Sequence, residues 1–148
     1  MLVEKSRAHH HAGDTDQARI LAQQAIEEAL KVESNNDANK AFIMQLQAQA
    51  YLQTGAIDKA LKLSEQALNL IPESRDSLNG TTLSNTHAWI MAMAGQREEA
   101  LTEIERLLGT PAGLNRWILY LHPNWDFFRD DERFNELIRP ANLEVAKK

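Results

Sequence analysis

The chain has 148 residues, 43% of them hydrophobic and 25% charged, with only 6 Gly and 4 Pro; this is the composition of a folded globular chain with few breaks in its secondary structure. It contains no cysteine, which excludes disulfides, thiolate metal sites and a cysteine nucleophile. The formal charge of -5 argues against nucleic acid as the main partner, because phosphate binding needs a basic face, and no basic cluster is present.

In chain order, "MLVEKSRAHHHA" (1–12) reads as a helix that ends at Gly13. It lacks the apolar core and cleavage site of a signal peptide, and no apolar run in the chain is long enough to span a bilayer. A soluble protein is expected, with the cytoplasm favoured. A second helix follows in "GDTDQARILAQQAIEEAL", where Ala18, Leu21, Ala22, Ala25, Ile26 and Ala29 recur at three- and four-residue steps. "NDANKAFIMQLQAQAYLQT" (37–54 for its helix, capped by Asp37) and "GAIDKALKLSEQALNLIP" from Gly55 form a second pair. "TTLSNTHAWIMAMA" (81–94, capped by Thr81 or Thr82) and "GQREEALTEIERLLGTP" from Gly95 form a third.

These units superpose. Gly13, Gly55 and Gly95 stand 42 and 40 residues apart, and Asp16, Asp58 and Glu98 coincide, as do Ala18, Ala60 and Ala100, and His9, Tyr51 and Met91. A fixed period of this size marks a stacked repeat. The expected architecture is an all-α, right-handed α-solenoid of three helix pairs: repeat 1 over 1–33, repeat 2 over 37–71, repeat 3 over 80–109. A C-terminal helical cap over 113–139 and a tail over 140–148 complete one domain.

The middle unit, through Ala48, Tyr51, Gly55, Ala60, Ala67 and Pro72, resembles the tetratricopeptide repeat. The first unit departs at Ser6 and His9, and the third at Leu107 and Pro111; the period exceeds the usual length of about 34 residues. The order of a third pair followed by "LHPNWDFFRDDERFNELI" resembles the C-terminal tetratricopeptide region of multidomain bacterial signalling proteins, among them serine/threonine kinases and winged-helix regulators. Leu121, Pro123, Trp125, Asp126, Arg129, Asp130, Asp131, Arg133 and Phe134 carry that likeness; His122, Phe127 and Glu132 depart from it. The resemblance implies a part, or a stand-alone relative, of a larger signalling protein.

Repeat proteins of this kind bind extended peptides or partner helices along the inner face of their first helices. A four-residue step places Val3, Arg7 and His10 there in unit one, Gln45, Gln49 and Leu52 in unit two, and Asn85, Trp89 and Met93 in unit three, with Trp89 as a possible aromatic anchor. The expected function is non-enzymatic binding of a protein or peptide. Self-association through an exposed N-terminal helix, at Leu2 and Val3, is the alternative.

Two clusters imitate metal sites. His9, His10 and His11 point about 100° apart on a helix and cannot close on one ion; His9 is expected to pack between helices. The acidic stretch 122–132 is the only basis for a metal-dependent enzyme, and it reads instead as a lid: Asp130 or Asp131 caps a last helix, Phe134, Leu137 and Ile138 face inward, and Trp117, Trp125, Phe127 and Phe128 wedge against the solenoid end. No nucleophile elbow, phosphate loop or dinucleotide fingerprint is present, and no cofactor or metal is expected.

Overall fold

The computed structural model describes residues 1–139, and every regular element among them is helical. The helices are α1 (Leu2–His11), α2 (Thr15–Leu30), α3 (Asp37–Thr54), α4 (Ile57–Leu70), α5 (Ser77–Met93), α6 (Arg97–Leu108), α7 (Arg116–Leu121) and α8 (Glu132–Ile138), with a 3-10 helix at Pro123–Phe128 between the last two. Each helix packs on the next through α6, and α1, α3 and α5 also pack on one another, so the first helices of the three pairs form one layer. The expected tail over 140–148 lies outside the described residues.

The aligned glycines are required by the turns. Gly13, Gly55 and Gly95 sit at φ +80°, +82° and +88°, left-handed conformations that cost a side-chain-bearing residue energy. Past each glycine the next amide donates back across the turn: Asp14 to His9, Ala56 to Tyr51 and Gln96 to Met91, each at 2.9 Å. This is the six-to-one bond of a Schellman C-cap. The matched positions His9, Tyr51 and Met91 therefore share a backbone role even though their side chains differ. The His9 side chain is not between helices as expected; it is partly exposed, with Nδ1 3.2 Å from Asp14 Oδ2.

Small residues form the seam between paired helices. Ala18, Ala22, Ala48, Ala60, Ala67 and Ala100 are all at most 1% exposed, and their size lets backbones approach closely. Ser6 stands in the place of Ala48 and is equally buried. Its Oγ donates to the Ala18 carbonyl at 2.6 Å, which removes the cost of burying an unpaired hydroxyl.

The third pair starts earlier than Thr81. Asp76 is the N-cap of α5, its side chain accepting from Asn79 N at 2.9 Å, so the helix begins at Ser77 and carries Gly80 inside its first turn. There α5 crosses the preceding segment so tightly that a Cβ on Gly80 would lie 2.6 Å from the Glu73 backbone nitrogen. Asn36, not Asp37, caps α3, accepting from Asn39 N.

The cap is helical and docked. Asp131 Oδ1 accepts from Phe134 N at 3.0 Å and so starts α8. Phe134, Phe128, Trp125 and Ile138 join the cluster of Ile90, Leu101, Ile104 and Leu107. Phe128 and Phe134 stack at 5.2 Å between centroids, and the Arg97 guanidinium lies 4.5 Å over Phe128. Leu137 is half-buried against this cluster. Two expected wedges do not enter it: Trp117 is 65% exposed and Phe127 37%. α7 buries Leu119 alone, because five consecutive apolar residues on a helix point all round the axis and only one side meets protein.

Candidate functional site

The inner row of the first helices is largely closed by the protein itself. Gln45 is 2% exposed, Leu52 9% and Trp89 5%, so these three do not line an open groove and Trp89 is no free anchor. On α5, Asn85 donates to the Ala112 carbonyl at 3.3 Å, and Trp89 Nε1 donates to the Asn124 carbonyl at 3.2 Å. The segment leading into the cap thus runs along the face of α5 that helical spacing had assigned to a ligand. Ala112 delivers its carbonyl from φ 61°, in the left-handed region that a residue with a Cβ adopts at a cost. Met93 is half-buried against the main core cluster.

Unit one closes over the same row. Arg7 donates to Gln49 Oε1 at 3.1 Å, pairs with Glu4, and sits 5.4 Å over the Trp89 ring. His11 Nε2 lies 3.3 Å from Asn124 Oδ1, joining the first helix to the cap. Of the expected site residues, Arg7, Gln49, Asn85 and Met93 are half-buried and His10 is exposed. Arg7, Gln49 and Trp89 come together; His10 stands apart, its ring against His11.

Gln45 is buried with both its amide nitrogen and its amide oxygen hydrogen-bonded. Its Nε2 donates to the Leu83 carbonyl at 3.1 Å, and its Oε1 accepts from Ser64 Oγ at 2.9 Å. The single hydroxyl proton of Ser64 being so committed, the 2.8 Å contact between Ser64 Oγ and His87 Nδ1 assigns the neutral imidazole proton to Nδ1. Burial holds the His87 pKa below its usual value, against the opposing pull of Glu65 and Glu103. An unfolded histidine titrates near 6.5. Below that pH the unfolded chain takes up a proton that the folded chain resists, so this contribution to stability is complete above about 6.5 and is lost as pH falls through the lower folded value. Thermal melts are expected to fall between about pH 7 and pH 5, and His87→Gln should flatten that interval; an unchanged slope would refute the assignment.

The acidic stretch 122–132 is taken up structurally. His122 Nδ1 accepts from Asn124 N at 3.2 Å and caps the 3-10 helix, and Asp126 pairs with Arg129 at 3.2 Å. Asp131 caps α8 and receives Arg97 Nε at 2.7 Å. The Phe134 backbone amide, and then Arg97, keep its carboxyl below the ordinary range. Among the described residues no three His, Asp or Glu side chains are grouped to hold a metal ion, and no helix is long and apolar enough to cross a membrane.

Two apolar surfaces remain, the first at Leu2 and Val3, the pair expected to be exposed on α1, of which Val3 is buried at 6% exposure. A cavity of about 250 Å³ opens between the start of α1, the end of α2 and the middle of α3, lined by Leu2, Val3, Ala29, Val32, Ile43 and Leu46. Val32 lies just past the end of α2, outside the helical spacing that defines the inner face. The second surface is the outward side of α7: Trp117, Ile118, Tyr120 and Leu121 are 65, 45, 56 and 69% exposed. The all-apolar "WILYL" was its signal.

Antiparallel pairs stacked through a small-residue seam, each turning at a left-handed glycine and closed by an aromatic cap, define a helical-repeat scaffold. A family model for the tetratricopeptide repeat matches residues 1–73, which are the first two helix pairs. Those two helix pairs are tetratricopeptide repeats. No curated protein and no solved structure matches it.

Proposed function

We propose that this chain is a single interaction domain whose docking site is the apolar groove between α1, α2 and α3. The observation that carries the reading is the groove itself, on the first-helix layer of a fold whose members generally mediate protein-protein contact. Val3 and Arg7 are one turn apart on α1, and Leu46 and Gln49 are one turn apart on α3, so each pair shares a helix face. The apolar groove therefore continues into the polar pair Arg7 and Gln49. Pockets for whole small molecules run to about 300–1,000 Å³; this one suits a large apolar side chain carried on a partner helix or peptide. Arg7, Gln49 and the exposed His10 supply polar contacts beside it.

The similarity of the cap to that of bacterial signalling proteins supports a role as the scaffold or sensor part of such a system, in the cytoplasm. The net charge of -5 favours a protein partner over nucleic acid.

Peptide display against the immobilised chain tests the groove. Enriched sequences are expected to carry large apolar residues at three- and four-residue spacing and to lose at least tenfold in affinity for the Val32→Glu chain. Val32 is 54% exposed, so the substitution should leave the fold intact. Equal binding to both chains would sink the reading.

A further inference from the structure

The α7 face and the α1–α2–α3 groove belong to the last and first parts of the same solenoid, one protruding and one hollow. We infer that the chain associates head to tail, the outward face of α7 in one copy seating in the groove of a second copy. This rests on the reading of the groove as a docking site and names its occupant.

Three observations favour a second copy of this chain. The first is shape and chemistry: Trp117, Ile118, Tyr120 and Leu121 are exposed on a helix whose one buried side chain is Leu119, and the groove offers Leu2, Val32, Ile43 and Leu46 as an apolar counterpart. The second is charge. Glu28, paired with Lys31 at 3.2 Å, stands on the lip of the groove, and Glu27 and Glu33 are exposed beside it. Arg116 heads α7, and among the described residues its guanidinium meets the Leu137 carbonyl and no carboxylate. The third is area. Fully buried aromatic side chains contribute about 150–250 Å² each, so the exposed parts of Trp117, Ile118, Tyr120 and Leu121 make a patch on the order of 400 Å², within the range that marks a functional surface on a monomer. Matched by the groove and extended by its rim, such a contact lies below the standard of roughly 800 Å² per partner, in the range of weak, transient interfaces. It is a concentration-dependent association.

The geometry sets the stoichiometry. Each copy carries one protrusion and one groove, so the contact is heterologous and does not close on two chains unless the rotation allows a ring. Sedimentation equilibrium of the full chain over a wide concentration range should show the weight-average mass rising past that of a dimer. Trp117→Glu and Val32→Glu, both at exposed positions, should each be monomeric alone. Mixed, they should form a dimer and stop there, because the intact α7 of one chain meets the intact groove of the other. Leu121→Glu should behave as Trp117→Glu does, and circular dichroism should show all three folded.

A wild-type chain that stays monomeric throughout overturns the inference. Loss of association in Trp117→Glu with full retention in Val32→Glu also overturns it, since α7 would then be pairing with α7. Groove-dependent peptides recovered by display from a strictly monomeric chain would leave the docking site standing and remove only the second copy as its occupant.

Discussion

Replacing Trp89 by alanine is expected to lower stability by about 3–5 kcal/mol, the range for truncating a buried aromatic residue. Helical spacing makes Trp89 look like a ligand anchor whose loss should weaken binding and spare the fold. The structure puts it under the cap: 5% exposed, donating to the Asn124 carbonyl and lying beneath Arg7. Removing it withdraws the shared contact of α1, α5 and the 3-10 helix, so damage should spread from α5 to both ends of the chain. Trp89→Phe separates the parts, because it keeps most of the apolar ring and loses the indole donor. Leaving the Asn124 carbonyl without that partner should cost about 1 kcal/mol. Urea denaturation with matched hydrogen exchange around Asn124 reads both effects. A stable Trp89→Ala chain with unchanged exchange there would show that the cap does not lie across α5.

Phe134→Ala carries the other large effect, also about 3–5 kcal/mol. The ring is 0% exposed and stacks on Phe128 in the cluster that includes Leu101 and Ile104 of α6. Its backbone amide also receives the Asp131 cap, but that bond survives truncation, so the loss measures side-chain packing alone. Asp131→Ala removes the cap and the Arg97 partner while leaving the ring, and the loss of a helix N-cap costs about 1 kcal/mol. The ordering Phe134→Ala well above Asp131→Ala, measured by denaturation followed through tryptophan fluorescence, distinguishes a lid from a chemical site. A site in which Asp131 mattered for function rather than packing would reverse the emphasis, with Asp131→Ala abolishing an activity at unchanged stability.

Local rules made much of the fold legible. Gly13, Gly55 and Gly95 were readable as turns because positive φ is a demand a single residue answers, and the alanine register was readable because close helix pairs need small residues at a fixed step. A cap at Asp130 or Asp131 and the inward set Phe134, Leu137 and Ile138 followed from the same spacing logic, and the structure chooses Asp131 and leaves Leu137 half-buried. The start of α5 was misplaced because Thr81 and Thr82 imitate a cap, while Asp76 is the residue whose side chain reaches an amide. Gly80, a helix breaker by propensity, stays inside the helix because the Pro72–Glu73 backbone leaves no room for a side chain.

The candidate site was far less legible. Gln45 and Gln49 have the same side chain four residues apart on one helix, yet one is sealed and the other half-open. The difference lies in Ser64 and the Leu83 carbonyl, 19 and 38 residues away. Trp89 is covered by a carbonyl 35 residues later. Such contacts leave no periodic trace, whereas Arg7 and Gln49, which meet across 42 residues, are equivalent positions of the repeat.

By itself, then, the sequence determined the repeat, its turns, the small-residue seam and the presence of an aromatic lid, because each depends on backbone geometry or side-chain volume within a few residues. Only the tertiary structure decided which polar-looking face is covered, where an apolar hollow remains between α1 and α3, and that α7 keeps its apolar side outward. Those outcomes depend on how far the solenoid winds before its cap arrives, a sum of packing contacts between segments remote in the chain.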